Sequence, residues 1–296
     1  MYRWRKALLV VVIALAAATL VLPMSTARAD AQTSPVIENP SAGPPETLEA
    51  AQLEYYNARY ERAAALTLGP CTTHVSGAAA CELRTAALLL QIRNALGRSD
   101  TENPWKQCLA CPDLLSAFKV ALSRGQALTR AKLQEQPSDD ETLFLLGKLD
   151  LNYVWLQLGT LGHKTGWNEY WEARRALDKV LSRQPGHVRA RVARGWIDYI
   201  VDTKMPRMTR WLLGGGNKKR GLLAVREAAG TESDFFIRAE ARFALWDMQV
   251  RERDAPGAFA TAGILILDFP ENQELRKFIE TQRSDASSAA ASSPSR

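Results

Sequence analysis

Histidine is scarce in this 296-residue chain: only His74, His163 and His187 occur. Neither a GxSxG elbow nor an HExxH pair is present, so serine-type nucleophilic catalysis and zinc-dependent hydrolysis have little support. Convincing strand alternation is missing too, which leaves βαβ-based redox and phosphate-binding folds without their framework. Past the N-terminal region no stretch is apolar enough to cross a bilayer. No cysteine follows the N-terminal apolar run closely, so a lipid anchor is not expected there.

What is present at the N-terminus reads as an export signal. Arg3, Arg5 and Lys6 precede an uncharged run from Ala7 to Leu22, and Pro23 ends it. Its 16 residues fall short of the roughly 20 that a spanning helix needs. Ala27-Arg28-Ala29 supplies small residues for a peptidase, which predicts cleavage of residues 1–29 and a mature chain that begins at Asp30. The leader carries four cations and no acid, so the formal charge of +6 falls to +2 on its removal. That balance gives no reason to expect a nucleic-acid partner. A periplasmic or secreted protein with no stable transmembrane segment after cleavage is expected.

Residues 30–46 are rich in Pro, Ser and small polar residues and read as a flexible linker. Residues 283–296 are Ser/Ala low complexity and are expected to be disordered. The intervening residues, 47–282, carry regular helical periodicity. Within them Cys71, Cys81, Cys108 and Cys111 lie in a span of 41 residues. An even count in an exported chain favours disulfides. We favour Cys71–Cys81 across a loop and Cys108–Cys111 as a local bridge, with a crossed pairing left open. The rival is a metal or redox protein that uses this cluster. Cys71-x2-His74 with Cys108-x2-Cys111 has zinc-pair spacing, and CxxC at a helix start suits a thiolate. The oxidising compartment and the missing βαβ context favour structural bridges, so no metal and no cofactor are expected.

Two segments share one pattern. Ala173, Leu177, Val180 and Pro185 sit at offsets 0, 4, 7 and 12, as do Ala258, Ala262, Leu265 and Pro270. This is one face of a short helix with its stop. Such a helix cannot hide its apolar face alone, so neighbours must stack on it. The spacing predicts Asp139 or Ser138, Asn168 and Asn217 as helix N-caps, and Gly97 and Gly230 as stops. Gly147 lies 26 residues before Ala173, Gly195 lies 26 before Gly221, and each position recurs after 48.

The chain resembles tetratricopeptide (TPR) repeats in these positions: small residues in paired helices, an apolar second-helix stripe and a terminal proline. Residues 237–270 match best in length and spacing. The resemblance implies an all-α fold, a right-handed α-solenoid of TPR-like antiparallel helix hairpins, with some repeats carrying long insertions. It implies a non-enzymatic adaptor or scaffold that binds a protein partner.

Two matched insertions are candidates for the binding rim. The first brings His163, Trp167, Tyr170 and Trp171; the second brings Arg207, Arg210 and Trp211; Trp155 before the first and Trp196 between the two complete the candidate rim. Aromatic platforms beside cations suit a carboxylate, a peptide C-terminus or an anionic head group. Simple packing of the tryptophans between helices is the plainer and favoured reading. The alternative function is a small-molecule or peptide binding component of an envelope transport or assembly system, which predicts an aromatic-lined pocket. GGGNKKR before a helix lacks the strand and GK[ST] of a phosphate loop and reads as a turn. His187 is expected in an exposed turn, and Glu172 is expected to pair with Arg175.

Overall fold

A computed structural model describes residues 45–73, 77–97, 104–163 and 165–291. The leader, nearly all of the linker, His74 and Lys164 lie outside them. The described residues are helical, with no strand among them. In chain order the helices are α1 (Pro45–Tyr56), α2 (Tyr60–Leu66), α3 (Leu68–Thr73), α4 (Ala78–Gly97), α5 (Pro104–Gln107), α6 (Cys111–Glu135) and α7 (Asp140–Val154). Then follow α8 (Trp167–Arg183), α9 (Val188–Lys204), α10 (Arg207–Leu212), α11 (Lys218–Gly230), α12 (Phe235–Glu252), α13 (Ala255–Asp268) and α14 (Gln273–Ala291). A π-helical turn, Trp155–Thr160, extends α7. α14 reaches Ala291, so residues 283–291 of the expected disordered tail are helical.

Neighbouring helices pack in sequence, α7 on α8, α9 on α11 and α12 on α13. The recurring small residues lie at two of these crossings. A Cβ on Gly147 would come 3.4 Å from the Ala173 carbonyl, and one on Gly195 would come 3.0 Å from the Gly221 carbonyl. Close approach of two backbones is what fixes glycine there. Ala173, Leu177 and Val180 are fully buried in α8, as are Ala262 and Leu265 in α13.

One connector is used three times. Gln136, Gln184 and Phe269 each precede proline, and each has φ near −130° and ψ near 70–78°. Proline excludes the helical conformation from the residue before it, so α6, α8 and α13 stop there. Three residues on, the amides of Asp139, His187 and Asn272 bond back to the carbonyls of Gln136, Gln184 and Phe269 at 3.0–3.1 Å. Their side chains then cap the next helix, accepting from Thr142, Ala190 and Leu275 amides at 2.9, 3.1 and 2.9 Å. Asp139 and Asn217 cap as expected. Asn168 does not: α8 starts two residues earlier than that cap implies, at Trp167 behind Gly166 at φ +94°. A left-handed residue at that point turns the chain sharply, and only glycine adopts it without strain.

The first helices also touch the last. Tyr56 stacks on Phe243 at 5.3 Å and lies 5.3 Å from Phe269. The Asn272 amide donates to the Tyr56 carbonyl at 2.7 Å, and the Glu271 amide donates to Asn57 Oδ1 at 3.2 Å. Arg59 bridges Glu54 and Glu271. Tyr60, Ala63 and their neighbours pack with α4 and α6 around Phe118 and Ile92.

Candidate functional site

The four cysteines form the two favoured bridges. Cys71–Cys81 joins α3 to α4, and Cys108–Cys111 closes the turn into α6. No cysteine is free. With all four sulfurs paired, the cysteines here serve as cross-links between helix ends. Among the described residues no cluster of three or more metal-ligating side chains exists.

The rim residues do not share one pocket. Trp155 and Tyr170 border a cavity of about 20 Å³ with Leu213, Val201 and Met205. Ligand pockets are usually of order 300 Å³ or more, and this cavity is far smaller. Tyr170 is buried, and its hydroxyl donates to the Leu213 carbonyl at 2.8 Å. Trp171 lies under the Arg174 guanidinium at 5.9 Å. Trp196 faces elsewhere, edge-on to Tyr199 at 5.6 Å and beneath Arg251 at 5.4 Å. His163 Nδ1 lies 3.0 Å from Gln157 Oε1. Trp167 is partly exposed at the start of α8, and Trp211 stands out on α10. The two insertions nevertheless meet through that Tyr170 bond, and Arg174, one turn further along α8, donates to the Leu213 and Gly214 carbonyls at 2.8 Å. Arg210 is an anchor, since it holds Asp202 at 2.5 Å and the Met205 carbonyl at 2.9 Å. Arg207 is exposed.

Two other expectations are corrected. His187 is half-buried, with its ring 5.2 Å from that of Phe144, because it serves as the cap of α9. Glu172 pairs with Arg130 of α6 at 2.5 Å, not with Arg175. Only tertiary packing brings α6 within reach.

The most concentrated electrostatic feature is one that sequence reasoning missed. Glu82 of α4, Lys148 of α7, Arg189 of α9 and Glu240 of α12 form a largely buried four-charge cluster. Lys148 Nζ lies 2.7 Å from Glu240 and 3.7 Å from Glu82. Arg189 lies 2.7 Å from Glu240 and 3.8 Å from Glu82. Its guanidinium also sits 4.3 Å over the Phe144 ring. Burial opposes ionisation of Glu240, but the two cations outweigh it and hold its carboxyl down at about 2. Burial likewise opposes protonation of Lys148, and Glu240 and Glu82 override it, so its ammonium titrates above the usual range. Burial pushes Tyr55 and Tyr56 well above the usual phenol value. All four charges are mutually satisfied, an arrangement suited to fixing helix positions. The only trace of it in the sequence is a charge beside buried leucines, as with Lys148 between Leu146 and Leu149.

An open groove of about 350 Å³ lies between α3, α4 and α6, with Leu68, Ala117 and Val120 on its walls and Arg84, Asp113 and Arg124 at its polar positions. No described helix is long and apolar enough to cross a membrane. No family model matches the chain, and no curated protein is significantly similar to it.

Proposed function

We propose that this protein is a non-enzymatic, exported, TPR-like adaptor that binds another protein through outward helix faces. The small-on-small crossings repeated at 48 residues and the proline connectors support reading the helix pairs as TPR-like hairpins in a right-handed solenoid. The inward sides of α4, α7, α9 and α12 are taken up by the buried charge cluster, which directs binding to the outside.

The observation that carries the reading is α13. From Ala255 to Leu267 it holds no charged residue. Pro256, Ala260, Ile264 and Leu267 lie along its solvent side, with Leu267 80% exposed. A continuous uncharged stripe on an exposed helix is the usual mark of a protein contact. The two disulfides support an oxidising compartment, and with the leader they support periplasmic or secreted placement.

A photocrosslinker at Leu267, introduced in the native envelope, tests this. One stoichiometric protein product, absent with the crosslinker at exposed Gly186 and lost in Ile264→Lys, is expected. Purified protein that yields no such product but retains a small molecule would favour the second reading, a peptide or small-molecule component. That reading rests on the 350 Å³ groove beside Asp113 and Arg84. Thiol titration before and after reductant checks the compartment: none free before, four after.

A further inference from the structure

The six-residue helix α10 is turned inside out. Met208, Trp211 and Leu212 occupy positions i, i+3 and i+4 and so share one face. That face points to solvent: they are 87%, 80% and 62% exposed. Only Leu213, just past the helix, is buried. A short surface helix would normally put such a face inward.

The projection is firmly held. Arg210 on the inner side grips Asp202, and Asp202 also accepts from the Lys218 amide at 2.8 Å. Arg174 and Tyr170 fasten the Leu213 and Gly214 carbonyls from α8. Gly216 sits so close to α9 that a Cβ would come 2.6 Å from the Asp202 nitrogen. The two ends of the apolar tip are therefore tied to α8 and α9.

The chain segment that carries it holds one sign of charge. Thr203 to Arg220 contains Lys204, Arg207, Arg210, Lys218, Lys219 and Arg220 and no acid. Arg210, Lys218 and Arg220 are matched by Asp202, Glu252 and Asp198. Lys204, Arg207 and Lys219 are exposed and make no ion pair with a described residue. A projecting Trp-Met-Leu face flanked along the chain by exposed, uncompensated cations has the chemistry of an interfacial anchor. The indole and thioether enter the head-group boundary, and the ammonium and guanidinium groups meet lipid phosphates. On α13, by contrast, the exposed stripe has no charge and lacks this complementarity.

We propose that α10 docks the protein peripherally on an anionic lipid bilayer surface, with Trp211 inserted at the interface and Lys204, Arg207 and Lys219 on the phosphates.

The test uses the full mature chain and vesicles of phosphatidylcholine with phosphatidylglycerol in equal parts, against pure phosphatidylcholine. Sedimentation should show binding at least tenfold stronger to the anionic vesicles, weakening as sodium chloride rises from about 50 to 500 mM. Trp211→Ser with Leu212→Ser, and separately Lys204→Glu with Arg207→Glu, should each lower binding tenfold or more. Leu109→Ser, at a 93% exposed position away from α10, should leave it unchanged. Because these side chains are exposed, circular dichroism and the melting temperature should not change. Brominated phosphatidylglycerol should quench wild-type fluorescence more than that of Trp211→Phe. Overturning results are equal binding to both vesicle types, binding indifferent to the α10 variants, or lipid-free self-association abolished by Trp211→Ser, which would make the tip a contact between copies.

Discussion

Asn272 Nδ2 donates to the Tyr56 carbonyl at 2.7 Å, although 216 residues separate them. The same side chain, through Oδ1, caps α14 by accepting from Leu275 at 2.9 Å. One amide thus ties the first helices to the last and starts the final helix.

Asn272→Ala should lose both bonds. A lost cap costs about 1 kcal/mol, and an orphaned carbonyl costs about as much again. We expect about 2 kcal/mol and a melting temperature lower by roughly 4–8 °C, read by thermal unfolding. The equivalent His187→Ala should cost about 1 kcal/mol, and His187→Asn should recover most of it, since Asn and His both present an acceptor to the Ala190 amide.

Gly195 and Gly221 mark where α9 and α11 cross. A Cβ on Gly221 would lie 2.5 Å from the Gly195 carbonyl. Gly221→Ala should destabilise by about 1–3 kcal/mol through forced separation of the helices. Gly186→Ala, with open space around it, should change the denaturation midpoint little.

Glu240 answers to acid. Its carboxyl falls from 4.5 to about 2 on folding, which corresponds to roughly 3 kcal/mol at about 1.4 kcal/mol per unit. A lowered folded value means this stability is fully present above 4.5 and is lost as pH falls toward 2. Glu240→Gln should therefore be less stable by about 3 kcal/mol at pH 7, and its urea midpoint should vary less between pH 4.5 and 2.

Asp150 has the opposite sign. It is fully buried, and its Oδ2 has no hydrogen-bond partner among the described residues. Burial, against a 2.6 Å bond from Gln126 and with Glu172 adding to it, pushes its carboxyl up to about 8. Between 3.8 and 8 the folded chain holds a proton that the unfolded chain has released. Stability therefore falls as pH rises through that window. Asp150→Asn keeps the acceptor for Gln126 and removes the charge. It should be the more stable protein at pH 9, by about 1 kcal/mol or more, with a flatter stability profile from pH 5 to 9.

Local features were legible before any coordinates. Apolar spacing marked the buried faces of α7, α8 and α13, and proline and glycine marked their ends. Asp139 and Asn217 announced themselves as caps, and cysteine spacing anticipated both bridges. These depend on 3.6-residue periodicity and on backbone chemistry within a turn or two, which sequence carries directly. The misread positions share a cause. His187 became a half-buried cap and Glu172 found Arg130, because each outcome depends on a helix distant in the chain. Glu82, Lys148, Arg189 and Glu240 come from four helices, and their stability in the interior arises only when all four arrive together. The direction of α10 was likewise settled by Arg174, Asp202 and the close approach of Gly216 to α9. Periodicity tells which residues of a helix share a side, while packing alone decides which side meets water.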